Sequence, residues 1–119
     1  MISISEIQKE LSLKAEQISV SGKRIVATVA SKEWLGFANQ IAAMSVPPFR
    51  LLCIAAVRVQ ENLRVIVELE SDDCNQHISL QTTLAKNLKL PSVAGFWPSA
   101  DWHEKEITKY FNIEFENSV

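Results

Sequence analysis

Two carboxylates and an imidazole stand close together near the carboxyl end of the chain, at Glu104, Glu106 and His103. Paired carboxylates can act as a general acid and a general base. Residues two apart on a helix project to different sides, however, so this pair is not predicted to act on one substrate. No second His, Cys or carboxylate stands at metal-ligand spacing with His103. We therefore expect His103 to be a packed, hydrogen-bonded histidine rather than a proton carrier or a ligand.

The other common signatures of catalysis are missing from the sequence. It contains three glycines and shows no phosphate-binding glycine loop, nucleophile elbow, metal cluster or dinucleotide fingerprint. Its two cysteines, Cys53 and Cys74, form no CxxC pair, and we expect a buried structural thiol and an incidental exposed one. The sequence predicts neither an independent enzyme nor a bound cofactor or metal.

Charge and hydrophobicity exclude two further classes of protein, those that bind nucleic acids and those that span a membrane. The 119 residues are enough for one domain around a single core. The net charge of −2 arises from interleaved signs, without the basic cluster that a nucleic-acid surface requires. The longest apolar run, Leu51 to Val57, is far short of the roughly 20 residues that cross a bilayer. The amino end lacks the features of a secretory signal, which indicates a cytoplasmic protein.

Aromatic residues and prolines concentrate in the segment 90–115. It holds two of the three Trp, two of the four Pro and three of the five Phe. Pro91 and Pro98 restrict the backbone on both sides of a loop that can present Phe96 and Trp97 at a low ordering cost. Such aromatic mass needs a surface to bury against, and we expect part of that surface to belong to another protein.

A helix is predicted to follow this loop. Asp101 can accept hydrogen bonds from the amides of the first turn, and Glu104 three residues later completes a capping box. Glu104 is also expected to reach a basic group of a neighbour, whereas Glu106 is expected to be solvated or at a rim. The predicted buried face carries His103, Ile107, Tyr110 and Phe111.

Residues 1–84 form the predicted core. A first helix, capped by Ser3 or Ser5, runs to about Leu13, and a second, capped by Ser31, ends before Pro47 and Pro48. Trp34 and Phe37 on the second helix are expected to pack against the sheet rather than bind a ligand. Strands are predicted at Ile18–Val20, Arg24–Ala30, Phe49–Val59, Leu63–Glu70 and His77–Thr83.

These elements predict a two-layer α+β fold. Phe49–Val59 is apolar on both alternating sets apart from two arginines, which is typical of a central strand covered on both sides. The order is helix, two strands, helix, three strands, then the Pro/Trp loop and the carboxyl-terminal helix. One mixed β-sheet with helices on one face is the simplest way to bury these patterns in one domain spanning residues 1–119.

The segment 90–115 also carries a family signature. Its residues are Leu90-Pro91-Ser92-Val93, Trp97-Pro98, Ala100, Trp102, Glu104-Lys105-Glu106, Phe111 and Ile113-Glu114-Phe115. This pattern resembles the 30 kDa subunit family of the respiratory-chain NADH dehydrogenase, complex I. The same domain also occurs in membrane-bound energy-converting nickel–iron hydrogenases and formate hydrogenlyases. The upstream part is similar to that family in its order of helices and strands.

Three positions depart from the family pattern. Lys105 stands where the family has Arg, Lys109 where it has Asp, and Asn112 where it has Gly. Lys105 lacks the two-pronged guanidinium fork and Lys109 reverses a charge, so contacts inferred from the family are expected to differ here. The sequence stops at Val119, where complex I members continue into a long tail. These points favour a short hydrogenase-type or divergent member.

The resemblance implies a cofactor-free, hydrophilic subunit of a membrane-bound oxidoreductase. It would lie on the cytoplasmic face, in a peripheral arm, docked on a large quinone-site subunit that resembles nickel–iron hydrogenases and near an iron–sulfur subunit. The residues predicted to dock are Phe96, Trp97, Trp102 and Glu104, with Lys105 and Glu106 at the rim.

One consequence of this prediction can be tested, and one alternative stays open. Replacing Trp97 by Ala should cost more assembly than folding if the indole is mainly a docking residue. The alternative function is a free-standing homo-oligomeric interaction or ligand-binding domain that reuses the fold.

Overall fold

A five-stranded mixed sheet forms one layer of the protein. The computed structural model describes residues 17–21, 24–43, 49–71, 76–85 and 89–116. The strands are β1 (Gln17–Ser21), β2 (Arg24–Thr28), β3 (Phe49–Val59), β4 (Asn62–Ser71) and β5 (Gln76–Leu84). They lie in the order β1-β2-β5-β4-β3, and all neighbours are antiparallel except β2 and β5, which are parallel. The prediction of one mixed sheet is confirmed.

One face of this sheet is dry. Because side chains alternate along a strand, the strand registers bring Val67 and Leu69 of β4 to the same face as Leu80 and Ile78 of β5. The apolar side chains of this face are at most 4% exposed; they are Ile25, Ala27, Leu63, Val65, Val67, Leu69, Ile78 and Leu80. Alternation in the sequence therefore identified the core face of β2, β4 and β5.

Both described helices cover that face. Helix α1 (Trp34–Ala43) and helix α2 (Ala100–Phe111) contribute their buried residues to the same hydrophobic cluster as the sheet. Trp34 and Phe37 are each 1% exposed, which confirms them as core residues. The α+β class with helices on one side of a mixed sheet is thus as predicted.

The start of α1 differs from the prediction. Ser31 does not cap the helix, because Ser31–Glu33 form a short 3-10 turn that precedes it. Ala30 occupies the cap position without a side-chain hydrogen bond, and its carbonyl accepts from the Glu33 amide at 2.9 Å. The backbone turn replaces a hydroxyl cap here. The predicted first helix and the Pro47-Pro48 stop lie outside the described residues.

The position of β3 corrects a second prediction. β3 is the last strand of the sheet order, not a central strand. Ile54 is buried on the helix side, but Leu52, Val57 and Val59 are 41%, 50% and 42% exposed. The long apolar run predicted burial, whereas the insertion of β5 between β2 and β4 leaves β3 at the edge. No other described strand pairs with its outer side.

A second, two-stranded sheet ties the carboxyl-terminal segment together. Strand β6 (Leu90–Pro91) pairs in parallel with strand β7 (Phe115–Glu116). The Leu90 amide donates to the Glu114 carbonyl at 3.2 Å, and the Ser92 amide donates to the Glu116 carbonyl at 2.8 Å. Residues 90–116 therefore close on themselves, with α2 between the two short strands. The sequence pattern did not predict this pair.

Candidate docking surface

The Pro-framed loop leads into α2 through a series of backbone turns. The Val93 carbonyl accepts hydrogen bonds from the amides of Phe96 and Trp97, both at 3.0 Å. The Trp97 carbonyl then accepts from the Ala100 amide at 2.8 Å. Because each turn begins where the previous one ends, the loop has a defined shape, as its prolines predict.

Trp97 fixes this loop to the sheet. Its side chain is only 6% exposed, and its indole Nε1 donates to the backbone carbonyl of Phe49 at 3.0 Å. Phe49 is the first residue of edge strand β3. The Phe96 ring, which is half-buried, meets the Trp97 ring edge to face at 5.9 Å between centroids. Trp97 thus belongs to the core of this chain, and Phe96 lies between core and solvent.

Glu104 holds the other side of the loop. Its side chain is 2% exposed, and it accepts hydrogen bonds from the Ser92 hydroxyl at 2.5 Å and the Val93 amide at 2.8 Å. The Ser92 hydroxyl oxygen also accepts from the Ala94 amide at 3.1 Å. Glu104, Ser92 and Val93 therefore form a latch between α2 and the loop, which we call the Glu104 latch.

Burial sets the electrostatics of this latch. Desolvation raises the pKa of Glu104 above its ordinary value, and the nearby Asp101 adds to that rise. The hydrogen bonds from Ser92 and Val93 oppose it because they stabilise the ionised form. The carboxylate is thus held by directed hydrogen bonds in a site that penalises its charge.

These contacts correct the predicted capping box. Helix α2 begins at Ala100, and the cap position is Ser99, which makes no side-chain hydrogen bond to the helix. Asp101 lies inside the first turn and accepts from the Lys105 ammonium at 2.9 Å. Glu104 instead faces the loop, and its two partners there lie 12 and 11 residues upstream in the chain. A local sequence pattern cannot reveal partners at that distance.

The side of α2 that faces away from the core carries large, accessible side chains. Trp102 is 64% exposed, and Tyr110 is 70% exposed. Tyr110 was predicted on the buried face, but Ala100, Glu104 and Ile107 occupy it instead. We name the accessible set the outer face of α2; its members are Trp102, Lys105, Glu106, Lys109 and Tyr110.

Neighbouring rings and charges flank the outer face. The half-buried His103 ring meets the Trp102 ring edge to face at 5.1 Å. The Lys109 ammonium lies 5.5 Å from the centroid of the Tyr110 ring. Trp102, Glu106 and Tyr110 follow one another at four-residue spacing, so they form a stripe along the helix. Aromatic side chains are enriched in protein interfaces, whose rims are polar.

The predicted docking residues thus fall into two groups. Trp97 and Glu104 are buried and contact other residues of this chain. Trp102 and Lys105 are exposed, and Phe96 and Glu106 are partly so. The first group holds the loop against the sheet and the helix, and the second group is accessible to solvent.

A polar cluster on the open face of the sheet was not predicted. Glu68 accepts from the His77 imidazole Nε2 and from the Ser79 hydroxyl, the latter at 2.8 Å, and it lies 3.5 Å from Arg24. Ser79 is fully buried and donates to the carboxylate rather than to the imidazole. A serine nucleophile needs an adjacent base and access to substrate, so this cluster links strands and is not a catalytic triad.

The described cysteine is also poorly suited to chemistry. Cys53 is half-buried on β3. Burial, and then the negative charge of Glu68, raises the pKa of its thiol, which disfavours the reactive thiolate. Among residues that the structure describes, no three His, Cys, Asp or Glu side chains form a group that could hold a metal ion. Cys74 lies outside the described residues.

Comparison with known proteins identifies relatives of this chain. Residues 27–119 match the family model described as "Respiratory-chain NADH dehydrogenase, 30 Kd subunit". The C/D subunit of the NADH-quinone oxidoreductase of Shewanella woodyi is 36% identical over 58 residues, which are 48% of this chain and 10% of that protein. The protein of the same name from Chromohalobacter salexigens is 40% identical over 52 residues, 43% of this chain and 9% of that protein. The matched part thus spans about a tenth of these relatives' length.

A solved structure shares the fold. A chain of the membrane-bound sulfane sulfur reductase, described as an archaeal respiratory membrane complex, superimposes with a TM-score of 0.79. The match covers 97% of this chain and 71% of that chain, at 21% sequence identity. At 21% identity this likeness shows a shared fold and nothing further. Of the helices described, none is both long and apolar enough to span a bilayer.

Proposed function

The chain belongs to the respiratory-chain NADH dehydrogenase 30 kDa subunit family, and from that membership we propose that it is a cofactor-free accessory subunit of a membrane-bound oxidoreductase complex. It docks on a large subunit of the nickel–iron-hydrogenase-like, quinone-site type, next to an iron–sulfur subunit. Its place is a peripheral arm on the cytoplasmic face of the membrane. Electron transfer belongs to the other subunits.

The exposure of Trp102 carries this proposal. An indole that is 64% exposed on an outward helix face leaves a large apolar surface in water. Trp and Tyr are the residue types that most often dominate the binding energy of protein interfaces. Trp102 and Tyr110 on one stripe, with charged side chains around them, therefore suit a surface that a partner covers.

The support beneath the outer face makes it well suited to docking. Trp97 bonds the loop to β3, and the Glu104 latch bonds the same loop to α2. A surface that is already ordered loses little conformational entropy when it binds. The buried signature residues thus stabilise the element that the exposed ones present.

The relatives add independent support. In the C/D proteins of the two bacteria, a segment similar to this chain is one part of a longer polypeptide. Such a covalent connection is expected if the segment works in contact with other parts of the same protein.

The edge strand favours one alternative, a homo-oligomer. β3 exposes Leu52, Val57 and Val59 along an outer side that pairs with no other described strand. Long apolar edge strands can pair with a second copy of the same chain. Size-exclusion chromatography with light scattering separates the two functions, because a stable symmetric dimer that buries β3 in the isolated protein would favour the alternative.

The docking function is tested by copurification. Affinity-tagged protein with Trp102→Ala should recover much less of the large subunit than wild type, because the exposed indole supplies contact area. Its thermal unfolding should change little, since surface substitutions have small effects on stability. Leu35→Ala is the matched control, because Leu35 is an exposed apolar residue on the other described helix and is 41% exposed.

Two copurification results would contradict the docking function. One is full recovery of the large subunit with Trp102→Ala, even when Tyr110→Ala is combined with it. The other is an equal loss with Leu35→Ala, which would show that any reduction of exposed apolar area has the same effect. NADH oxidation or hydrogenase activity by the isolated chain would contradict the accessory role.

A further inference from the structure

We propose that a cleft at one end of the sheet binds a peptide segment of the partner subunit in which a carboxylate stands beside apolar residues. The proposal rests on the docking function above. The cleft has a volume of about 560 Å³ and is lined by the β3–β4 turn, the end of β5 and the carboxyl-terminal end of α2. It is distinct from the outer face of α2 but shares that helix.

The floor of the cleft is apolar. Leu63 and Leu84 line it and are 4% and 1% exposed, so they present the edge of the hydrophobic core. Phe111 and Ile113 also line it and pack against that core. An apolar side chain seated here would continue the core outward and lose its own contact with water.

Arg58 places a positive charge against this floor. Its guanidinium carbon lies 5.7 Å from the centroid of the Phe111 ring, a distance at which the cation and the ring attract each other. Arg24 and Arg50 on the same sheet pair with Glu68 and Glu70. Arg58, by contrast, forms no ion pair with any carboxylate in the described part of the chain.

The geometry of a guanidinium favours a carboxylate as its ligand. Because no ion pair occupies Arg58 in the described part of the chain, its in-plane N–H donors can match two carboxylate oxygens at once. An acidic side chain or a chain end next to an apolar residue would satisfy the arginine and the floor together.

The rim of the cleft disfavours a phosphate. Glu61 and Glu114 line it, and Lys89 is already paired with Glu114 at 3.4 Å. A dianion would meet two carboxylates and a single unpaired cation, whereas one carboxylate matches the single arginine.

The binding chemistry is tested by amide NMR titration of the full chain. Hydrocinnamate, a carboxylate on a short phenylalkyl group, is the probe, and hydrocinnamide is its neutral match. Hydrocinnamate should shift the amides of Ala85, Asn112 and Ile113 saturably, with a dissociation constant in the millimolar range expected for so small a ligand. Hydrocinnamide should bind several-fold more weakly.

Variants of the two arginines on β3 provide the controls. Arg58→Gln should weaken hydrocinnamate binding by about five- to tenfold, because an exposed bidentate ion pair is lost. Arg58→Lys should fall between, since it keeps the charge without the fork. Arg50→Gln removes a charge from the same strand at a paired site and should leave binding within about twofold of wild type.

Each other outcome overturns the proposal. Equal binding of hydrocinnamide would show an apolar slot without carboxylate recognition. Tighter binding of phenyl phosphate would assign the site to a phosphate ligand. Unchanged binding in Arg58→Gln would show that Arg58 does not bind the carboxylate. No saturable shifts with the folded wild type would show that the cleft binds no such ligand.

Copurification then separates this proposal from the docking function. Arg58→Gln, if folded as wild type, should lower recovery of the large subunit, and Arg50→Gln should not. If Trp102→Ala lowers recovery and Arg58→Gln does not, the docking function stands and the peptide proposal fails. If neither variant lowers recovery, the docking function itself fails, whatever the cleft binds in isolation.

Discussion

Replacing Glu104 tests whether its latch holds the loop to α2. Glu104→Ala removes the acceptor of two hydrogen bonds and leaves the Val93 amide, in a residue that is 1% exposed, without a partner. An unpaired buried donor costs about 1–3 kcal/mol, and hydrogen bonds to a charged group contribute about 1.5–3 kcal/mol each. Relief of the buried charge offsets part of this loss. We expect a net destabilisation of about 2–3 kcal/mol.

Glu104→Gln separates the hydrogen bonds from the charge. Its carbonyl oxygen can still accept from the Val93 amide, and its amide group can donate to the Ser92 hydroxyl oxygen. This variant should therefore stay within about 1 kcal/mol of wild type. A loss of about 2–3 kcal/mol in Glu104→Ala should lower the midpoint of thermal unfolding by roughly 10 °C, given the size of the chain.

The stability difference between wild type and Glu104→Gln should depend on pH. Burial raises the pKa of Glu104 above its ordinary 4.5, so the folded state holds more protons than the unfolded state between those two values. The stability of wild type relative to Glu104→Gln should be greatest below pH 4.5. It should fall as the pH rises through the folded-state pKa, because ionisation of the buried group then costs stability.

Chemical denaturation from about pH 4 to pH 8 measures these differences directly, and hydrogen exchange at the Val93 amide reports the latch itself. The other charges cancel because wild type and Glu104→Gln share them. If Glu104→Gln loses as much stability as Glu104→Ala, the hydrogen bonds are not what holds the loop. A stability difference that rises with pH would show that the site favours the ionised carboxylate, against our reasoning.

Two further predictions concern single contacts. Trp97→Ala should destabilise the isolated protein by about 3–5 kcal/mol in denaturant titrations, because it empties a core position. Trp97→Phe should lose about 1–3 kcal/mol through the unpaired Phe49 carbonyl, and a stability loss under about 1 kcal/mol for Trp97→Ala would contradict core burial. Asn112 ends α2 in the left-handed conformation, with φ 56°, so Asn112→Ala should cost about 1 kcal/mol of stability and Asn112→Gly should be nearly neutral. Equal losses for Ala and Gly would exclude a backbone cause.

Local patterns predicted most of the described elements. Alternation identified β2, β4 and β5 and their buried faces, and helical spacing identified the core side of α1. Each of these patterns records which face of a single helix or strand is buried. It can be read from residues that are neighbours in the sequence.

Relations between distant residues could not be predicted from those patterns. The edge position of β3 depends on how β5 pairs with both β2 and β4. Its exposed apolar residues look like core residues in the sequence because hydrophobicity alone does not show which residues the fold leaves at a sheet edge. The predicted central position of β3, covered on both sides, was therefore wrong.

The same limit applies to the candidate site. The Asp101-x-x-Glu104 pattern matches a capping box, yet Glu104 bonds to a loop upstream of the helix. The aromatic content of the loop indicated that its side chains are buried against a surface. It did not show whether that surface belongs to this chain or to another protein. The structure buries Trp97 in its own chain, so Trp97→Ala is expected to destabilise the isolated protein whatever its effect on assembly.

Hydroxyl-radical footprinting of tryptophan tests the docking of α2 most directly. Trp102 is 64% exposed in the isolated chain, and Trp97 is 6% exposed and provides an internal reference. In the purified oxidoreductase complex, oxidation of Trp102 should fall several-fold while oxidation of Trp97 stays equally low. If Trp102 is oxidised as fast in the complex as in the isolated chain, the outer face of α2 is not the docking surface.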